Sequence, residues 1–191
     1  MSEILKILSR ELGANAIASG SDIGDKYAVD VSGENPHIPA AVILPRTTED
    51  VAAIIKHCSA ARQPVVVQGG LTGLSGGATP QAGELALNLE RMSGIESLDP
   101  ASMTLTALAG TPLQVIQEAA REAGLLFPLD LGARGSCQLG GLIATNAGGT
   151  QVIRFGMTRN LILGLEAVLA DGTVISSMNR MLKNNAGYDL K

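Results

Sequence analysis

The sequence predicts an α+β protein of two α/β subdomains. Residues 1–100 make a small parallel-type sheet with helices, residues 101–191 an antiparallel sheet with helices, and a ligand is clasped between them. Three observations carry that reading. In the first half, apolar runs bounded by proline flank a well-capped helical stretch. After Pro100 the texture changes to alternation and then to an Asp-Gly pair between apolar runs. Each half also carries a glycine cluster, five glycines in residues 68–77 and six in residues 131–149, together eleven of the chain's 23.

The elements follow in order. Residues 1–13 read as a short amphipathic helix, not a signal peptide, with Ile4, Leu5, Leu8 and Leu12 on one face and Gly13 as its stop. Residues 41–44 are a buried-strand run closed by Pro45. Thr47 or Thr48 then caps a helix whose first turn holds Glu49 and Asp50, where acidic groups complement the helix dipole. Val51, Ile54, Ile55 and Cys58 recur at helical spacing, so Cys58 is read as core and His57 projects from another face. Pro64 opens a second buried strand, residues 65–68, which runs into QGGLTGLSGG. Residues 85–89 make the next strand, with Glu90 as a surface residue at its end.

In the second half Met103, Leu105 and Ala107 alternate with Thr104 and Thr106, the pattern of a half-buried strand. Thr111 as N-cap, Pro112 at the first helical position, an apolar face of Leu113, Ile116, Ala119, Ala120 and Ala123, and Gly124 as C-cap punctuate a helix. Ser136 caps a short helix over residues 138–146, stopped by Gly148 and Gly149, whose N-terminus would offer an anion site. Residues 161–170 and 173–176, joined through Asp171-Gly172, predict a hairpin.

Composition removes several functions. A chain of 191 residues with 46 % apolar content can bury a real core. A net charge of −4 with no Lys/Arg run leaves no footprint for nucleic acid or an anionic membrane surface. No apolar run approaches the ~18 residues of a membrane span. The two cysteines, Cys58 and Cys137, make neither a disulfide framework nor a metal site, which fits a reducing, cytoplasmic setting.

The first glycine loop carries the chemistry. Glycine takes φ > 0 without steric cost and lets a ligand approach the main chain, so such a loop can aim several N–H groups at one anion. A glycine-rich loop alone is as easily a simple turn, and the second cluster tips the reading toward a ligand. Residues 64–89 contain no Lys or Arg, so a phosphate bound there is held by main-chain N–H groups and helix dipoles. No Gly-Lys pair occurs, which removes a Walker loop. Only seven residues, Pro80 and Gly83 among them, separate Gly77 from the next strand, too few for the crossover helix of a Rossmann unit.

Four blocks in order, ILPRTTEDVAAII, VVVQGGLTGLSGG, PLDLGARGSCQLGGLIATNAGG and GLEAVLADGTVI followed by KNNAGYDLK, resemble the FAD-binding domain of FAD-linked oxidases and dehydrogenases, the vanillyl-alcohol oxidase and p-cresol methylhydroxylase superfamily. Residues 128–149 look most like the branch of D-2-hydroxyglutarate and D-lactate dehydrogenases and the glycolate oxidase D-subunit. The resemblance implies that Gly69, Gly70, Thr72, Gly73, Leu74, Ser75, Gly76 and Gly77 hold the FAD pyrophosphate. Pro128, Gly135, Ser136, Cys137, Gly140, Gly141, Thr145, Asn146, Gly148 and Gly149 would line the flavin and the rest of the dinucleotide, and Ile175 would lie near the adenine. Some relatives attach the flavin through a histidine just after the paired glycines; Leu71 stands there, which implies non-covalent FAD. Cys137 follows Gly-Ser as in this branch, a packing or flavin-contact position.

By the same resemblance a D-2-hydroxy acid is oxidised by hydride transfer to flavin N5, through a C-terminal cap domain that carries the substrate and metal-binding residues and that these 191 residues do not include. The chain is thus expected to be an N-terminal fragment, inactive alone. His37 and His57 read as surface residues, so no catalytic residue is named and no metal is expected. The electron acceptor is left open. The alternative is a non-catalytic flavin- or nucleotide-binding module acting through a partner subunit.

Overall fold

The computed structural model describes residues 2–181 and 187–188; most of the KNNAGYDLK block lies outside the described residues. Strands β1 (Ile17–Ala18), β2 (Ala41–Ile43), β3 (Val65–Gln68) and β4 (Leu85–Asn88) form one sheet in the order β1-β2-β4-β3. β2, β4 and β3 run parallel, and β1 pairs antiparallel with β2. The central strands are covered on both faces, which is why their sequences are unbroken apolar runs.

Alternation within those runs still sorts the two faces. Ala41, Ile43, Leu85 and Leu87 meet α1 (Glu3–Leu12) and α2 (Thr48–Ala60), which supply Ile4, Leu5, Leu8, Ile54 and Cys58. Val42, Leu44 and Ala86 point the other way, onto Tyr27 and Leu71. Thr47 is the N-cap of α2. Its Oγ1 accepts from Asp50 N at 3.1 Å while Asp50 Oδ2 accepts from Thr47 N at 3.3 Å, a reciprocal capping box.

No helix joins β3 to β4; residues 69–84 alone make the connection. Parallel neighbours need roughly a dozen linking residues. Here the glycine loop is itself the crossover.

β5 (Ile95–Asp99) and β6 (Thr104–Ala107) form one antiparallel hairpin that crosses the expected boundary at residue 100, with Pro100 in its turn, and β7 (Leu165–Val168) and β8 (Val174–Ser177) form another. Among the described residues they are two separate two-stranded sheets. Leu113 of α3 (Leu113–Glu122) and Leu142 of α4 (Leu139–Ala144) pack with Leu129 and Cys137 into a small core. A one-turn helix, α5 (Val152–Phe155), follows. The architecture is the expected α+β one: a mixed, largely parallel sheet first and antiparallel pairing after it.

Several local expectations change. Pro112 is the N-cap of α3, not its first residue, because Thr111 is tied elsewhere: its hydroxyl donates to Gly94 O and accepts from Gly94 N, each at 3.0 Å. α4 begins at Leu139 after Gln138 and ends at Ala144, with no cap from Ser136. Met103 lies in the β5–β6 turn at φ +53°, 74 % exposed, outside the strand.

Glu90 is more than a surface residue. Tyr27 Oη donates to its Oε1 at 2.8 Å and Lys26 Nζ pairs with its Oε2 at 2.7 Å, which fastens the turn Asp25–Ala28 to the end of β4. Burial pushes the carboxyl up, but the hydrogen bonds from Lys26 and Tyr27 outweigh it and hold Glu90 below its usual value. A carboxyl depressed in the folded state stabilises above the unfolded value, and that contribution is lost as pH falls through the folded one. Wild type is therefore expected to lose its stability advantage over Glu90→Gln as pH drops from about 5 to about 3. Urea titrations followed by circular dichroism read this, and a gap constant across the window refutes it.

Candidate cofactor site

The first glycine loop leaves the carboxyl end of β3, beside the carboxyl ends of β2 and β4, where open α/β sheets bind ligands. Buried Gln68 staples it: its Nε2 donates to Tyr27 O and to Ala78 O, each at 2.9 Å, holding both ends of the loop. Asn88 Nδ2 donates to Gly69 O at 3.3 Å. Gly76 sits at φ +69°, and Leu71 at φ +57° carries its side chain under the sheet. Among the described residues no backbone N–H from Gly69 to Gly77 donates to a protein group. Gly69, Gly70, Thr72, Gly73, Leu74, Ser75, Gly76 and Gly77 therefore present one run of unpaired donors, the concavity that takes an anion. A cleft of about 470 Å³, lined by Glu34, His37, Ser75, Gly76, Thr79 and Gln81 among others, opens beside its later half.

The two glycine clusters touch. A Cβ on Gly70 would lie 1.9 Å from Ser136 O, and one on Gly69 would lie 3.3 Å from Gln138 Oε1. Ser136 and Cys137 turn their N–H groups inward, both onto Ala133 O at 2.8 Å. Pro128 leads into Leu129 and Asp130, and a Cβ on Gly149 would meet Asp130 O at 2.1 Å. Gly135, Gly141, Thr145 and Gly148 are exposed along the same segment. Asn146, at φ +47°, accepts from Arg159 N at 3.0 Å. Ile175 sits on β8 opposite Ala167 and is 44 % exposed.

The N-terminus of α4 does not offer the anion site expected of it. Leu139 N donates to Thr111 O at 2.9 Å and Gly140 N to Ala109 O at 2.7 Å, so two of the three N–H groups of its first turn are already bonded and only Gly141 N is left. Gly140 is there for close approach, since a Cβ would reach Ala109 Cβ at 2.9 Å. Cys137 is buried against Leu113, Leu129 and Leu142, and burial pushes its thiol up; burial likewise pushes Cys58 up to about 11. Neither is a thiolate at neutral pH, and the thiolate is the nucleophile. His37 is exposed, while His57 Nε2 lies 2.7 Å from Glu11 Oε2 and links α2 to α1. Among the described residues no group of three His, Cys, Asp or Glu is placed to hold a metal, and no helix is long and apolar enough to cross a membrane.

Sequence reasoning missed three groups. Asp30 Oδ2, Gln68 Oε1 and Gln138 Oε1 are buried acceptors without a hydrogen-bond partner. Each borders the first loop: Gln68 opens it, Gln138 Oε1 sits beside Gly69, and Asp30 Oδ2 would lie 3.0 Å from a Cβ on Gly73. Asp30 falls in irregular chain and Gln68 in a strand, so no local motif marks either. Buried polar atoms are nearly always paired, so orphans grouped at one loop point to a ligand or ordered solvent. Unpaired donors and acceptors at one place fit FAD, which carries anionic phosphate oxygens together with hydroxyl and ring N–H donors.

Residues 39–177 match the FAD binding domain family. The D-2-hydroxyglutarate dehydrogenase of Xanthomonas citri pv. viticola is 46 % identical over 153 residues, 80 % of this chain and 32 % of that protein. The mitochondrial D-2-hydroxyglutarate dehydrogenase of Bos taurus is 45 % identical over 150 residues, 78 % of this chain and 28 % of that protein. The chain thus spans about a third of the length of these relatives. Among solved structures, p-cresol methylhydroxylase shares the fold with a TM-score of 0.72 and 22 % identity, covering 96 % of this chain and 36 % of that one. The expectation of a cytoplasmic setting is corrected, since relatives such as the bovine enzyme are named mitochondrial; two unpaired cysteines report on redox environment and not on compartment. The geometry of the loops and the match across most of the sequence agree: the chain belongs to the FAD binding domain family.

Proposed function

We propose that this chain is the FAD-binding part of a dehydrogenase acting on a D-2-hydroxy acid of the 2-hydroxyglutarate or lactate type. The observation that carries the reading is the run of unpaired N–H groups from Gly69 to Gly77 in contact with the Ser136–Gln138 segment. That run holds the pyrophosphate with no lysine or arginine. Charge-assisted hydrogen bonds contribute about 1.5–3 kcal/mol each, so a handful suffices. Gln138 and Gln68 accept from the donors of the cofactor, while Gly135, Ser136, Thr145, Asn146, Gly148 and Gly149 line its flavin end and Ile175 its adenine end. FAD, when bound, supplies the two-electron acceptor for oxidation of the hydroxy acid to the 2-oxo acid. The residues of this chain orient that cofactor and screen one side of it from water. No base for the hydroxyl proton is assigned among them, and substrate recognition is assigned to polypeptide outside the matched region of the relatives. The loop from Gly69 to Gly77 and the segment Ser136–Gln138 act as the two sides of the clasp.

The test is a titration of the purified chain with FAD, followed by the flavin absorption bands and by quenching of flavin fluorescence. Saturable binding supports the reading; no binding by a folded chain defeats it. Because Leu71 offers no nucleophile, bound flavin is expected to stay in the supernatant when the protein is precipitated with acid. Flavin in the pellet would show a covalent bond.

A further inference from the structure

We propose that Asp30 positions the first glycine loop: its free oxygen is the acceptor for one main-chain N–H of residues 72–74, and that bond aims the remaining N–H groups of the loop at the pyrophosphate. Asp30 is 4 % exposed and is the one buried carboxylate among the described residues. Its Oδ1 is clamped, accepting from Ser32 N at 3.0 Å and from Ser32 Oγ. Its Oδ2 has no partner, and no lysine, arginine or histidine pairs with it among the described residues. Burying a charged group is costly unless it is paired or hydrogen-bonded, so this oxygen implies a donor.

The donor is at hand. Oδ2 packs against Gly73, where an added Cβ would lie 3.0 Å from it and 3.7 Å from Asp30 Cγ, and the N–H groups of that loop have no protein acceptor among the described residues. The chain around Asp30 already follows the loop on either side of Gly73. Val31 N donates to Leu71 O at 3.1 Å, Asp30 N donates to Thr79 Oγ1 at 3.4 Å, and a Cβ on Gly76 would stand 3.8 Å from Ser32 Oγ. A small closure of the loop completes the set with a bond from main-chain N–H to carboxylate, the strong, charge-assisted kind. The cofactor itself is a poor partner for Asp30. The carboxylate does not line the cleft beside the loop, and it carries the same sign of charge as the pyrophosphate. Like charges repel, so Asp30 aids binding only by ordering the donors, whereas Gln68 and Gln138 are neutral and accept from the cofactor without that cost. Donors ordered in advance spare the ligand the entropy of ordering them.

The binding arm of the test rests on the cofactor reading; the amide arm does not. Without ligand, one amide among Thr72, Gly73 and Leu74 of the wild-type chain is expected to exchange at least about tenfold more slowly than a free amide. Asp30→Ala should remove that protection while Leu85 to Asn88 of β4 keep theirs. FAD and ADP, which shares its pyrophosphate, are then titrated. Asp30→Ala is expected to weaken both by at least about tenfold, the worth of one charge-assisted bond, and Asp30→Asn, which keeps an acceptor, to regain most of that loss. Ser32→Ala removes one of the two groups that clamp Oδ1 and serves if Asp30→Ala does not fold; it should weaken both ligands by about threefold. The proposal is overturned if all three wild-type amides exchange freely or if Asp30→Ala binds as wild type does. Tighter binding by both Asp30 variants overturns it too, because the carboxylate would then only oppose the pyrophosphate. So does a loss of FAD affinity when a chelator removes magnesium, seen in wild type and absent in Asp30→Asn, because Oδ2 would then hold a cation. If the folded wild type binds neither ligand, the cofactor reading fails and the amide arm alone decides this one.

Discussion

Gly70→Ala is expected to abolish measurable FAD binding and to lower stability by about 3 kcal/mol, the upper end of what overpacking costs. The added Cβ would stand 1.9 Å from Ser136 O, 2.7 Å from Ser136 C and 3.1 Å from Cys137 Cα. All three are backbone atoms, so no rotamer change relieves the clash. The loop from Gly69 and the segment around Ser136 must separate, and with them the two sides of the clasp. Gly77→Ala is the matched control, because its Cβ meets nothing within 4 Å and its φ is not positive. Its unfolding free energy should stay within about 0.5 kcal/mol of wild type. Urea unfolding by circular dichroism suits a chain without tryptophan, with FAD affinity from flavin fluorescence. If Gly70→Ala binds FAD as wild type does, the contact between the clusters is not what forms the site.

Much of this architecture was legible because local and global signals agreed. The runs at 41–44 and 85–89 are apolar without interruption because β2 and β4 are buried on both faces, and the Thr47–Asp50 capping box sets the start of α2. What stayed hidden was decided by contacts distant in sequence. β1 is two residues long, too short for any periodicity, and exists only by pairing with β2. Glu90 reads as a polar residue after a strand until Tyr27, 63 residues earlier, is seen to reach it. Leu71 looks like a spacer between glycines, yet its side chain packs under the sheet. The site divides the same way. Composition marks the first loop as a donor array, whereas the orphan acceptors on Asp30, Gln68 and Gln138 emerge only when their surroundings are known.

Gly110 shows how far a single unmarked residue can matter, and Gly110→Ala is expected to rival Gly70→Ala. In the sequence it is one glycine before Thr-Pro, outside both clusters. In the fold it is buried, and a Cβ would lie 1.9 Å from Leu89 O and 2.7 Å from Met92 O. Residues 109–113 form a strap across the turn that follows β4. Gly110 N donates to Met92 O at 2.8 Å, Thr111 holds Gly94 on its other side, and Ala109 O and Thr111 O accept from Gly140 and Leu139. Leu113 N closes the set by donating to Cys137 O at 3.0 Å. Lifting the strap off Leu89 would therefore draw the second glycine segment away from the first without touching either. The expected result is a loss of about 3 kcal/mol in urea unfolding, with faster amide exchange at Leu139 and Gly140 and weaker FAD binding under conditions where the variant stays folded. An equal loss of stability that left those two amides protected and FAD affinity unchanged would show the strap to be a core element only, with no part in holding the clasp together.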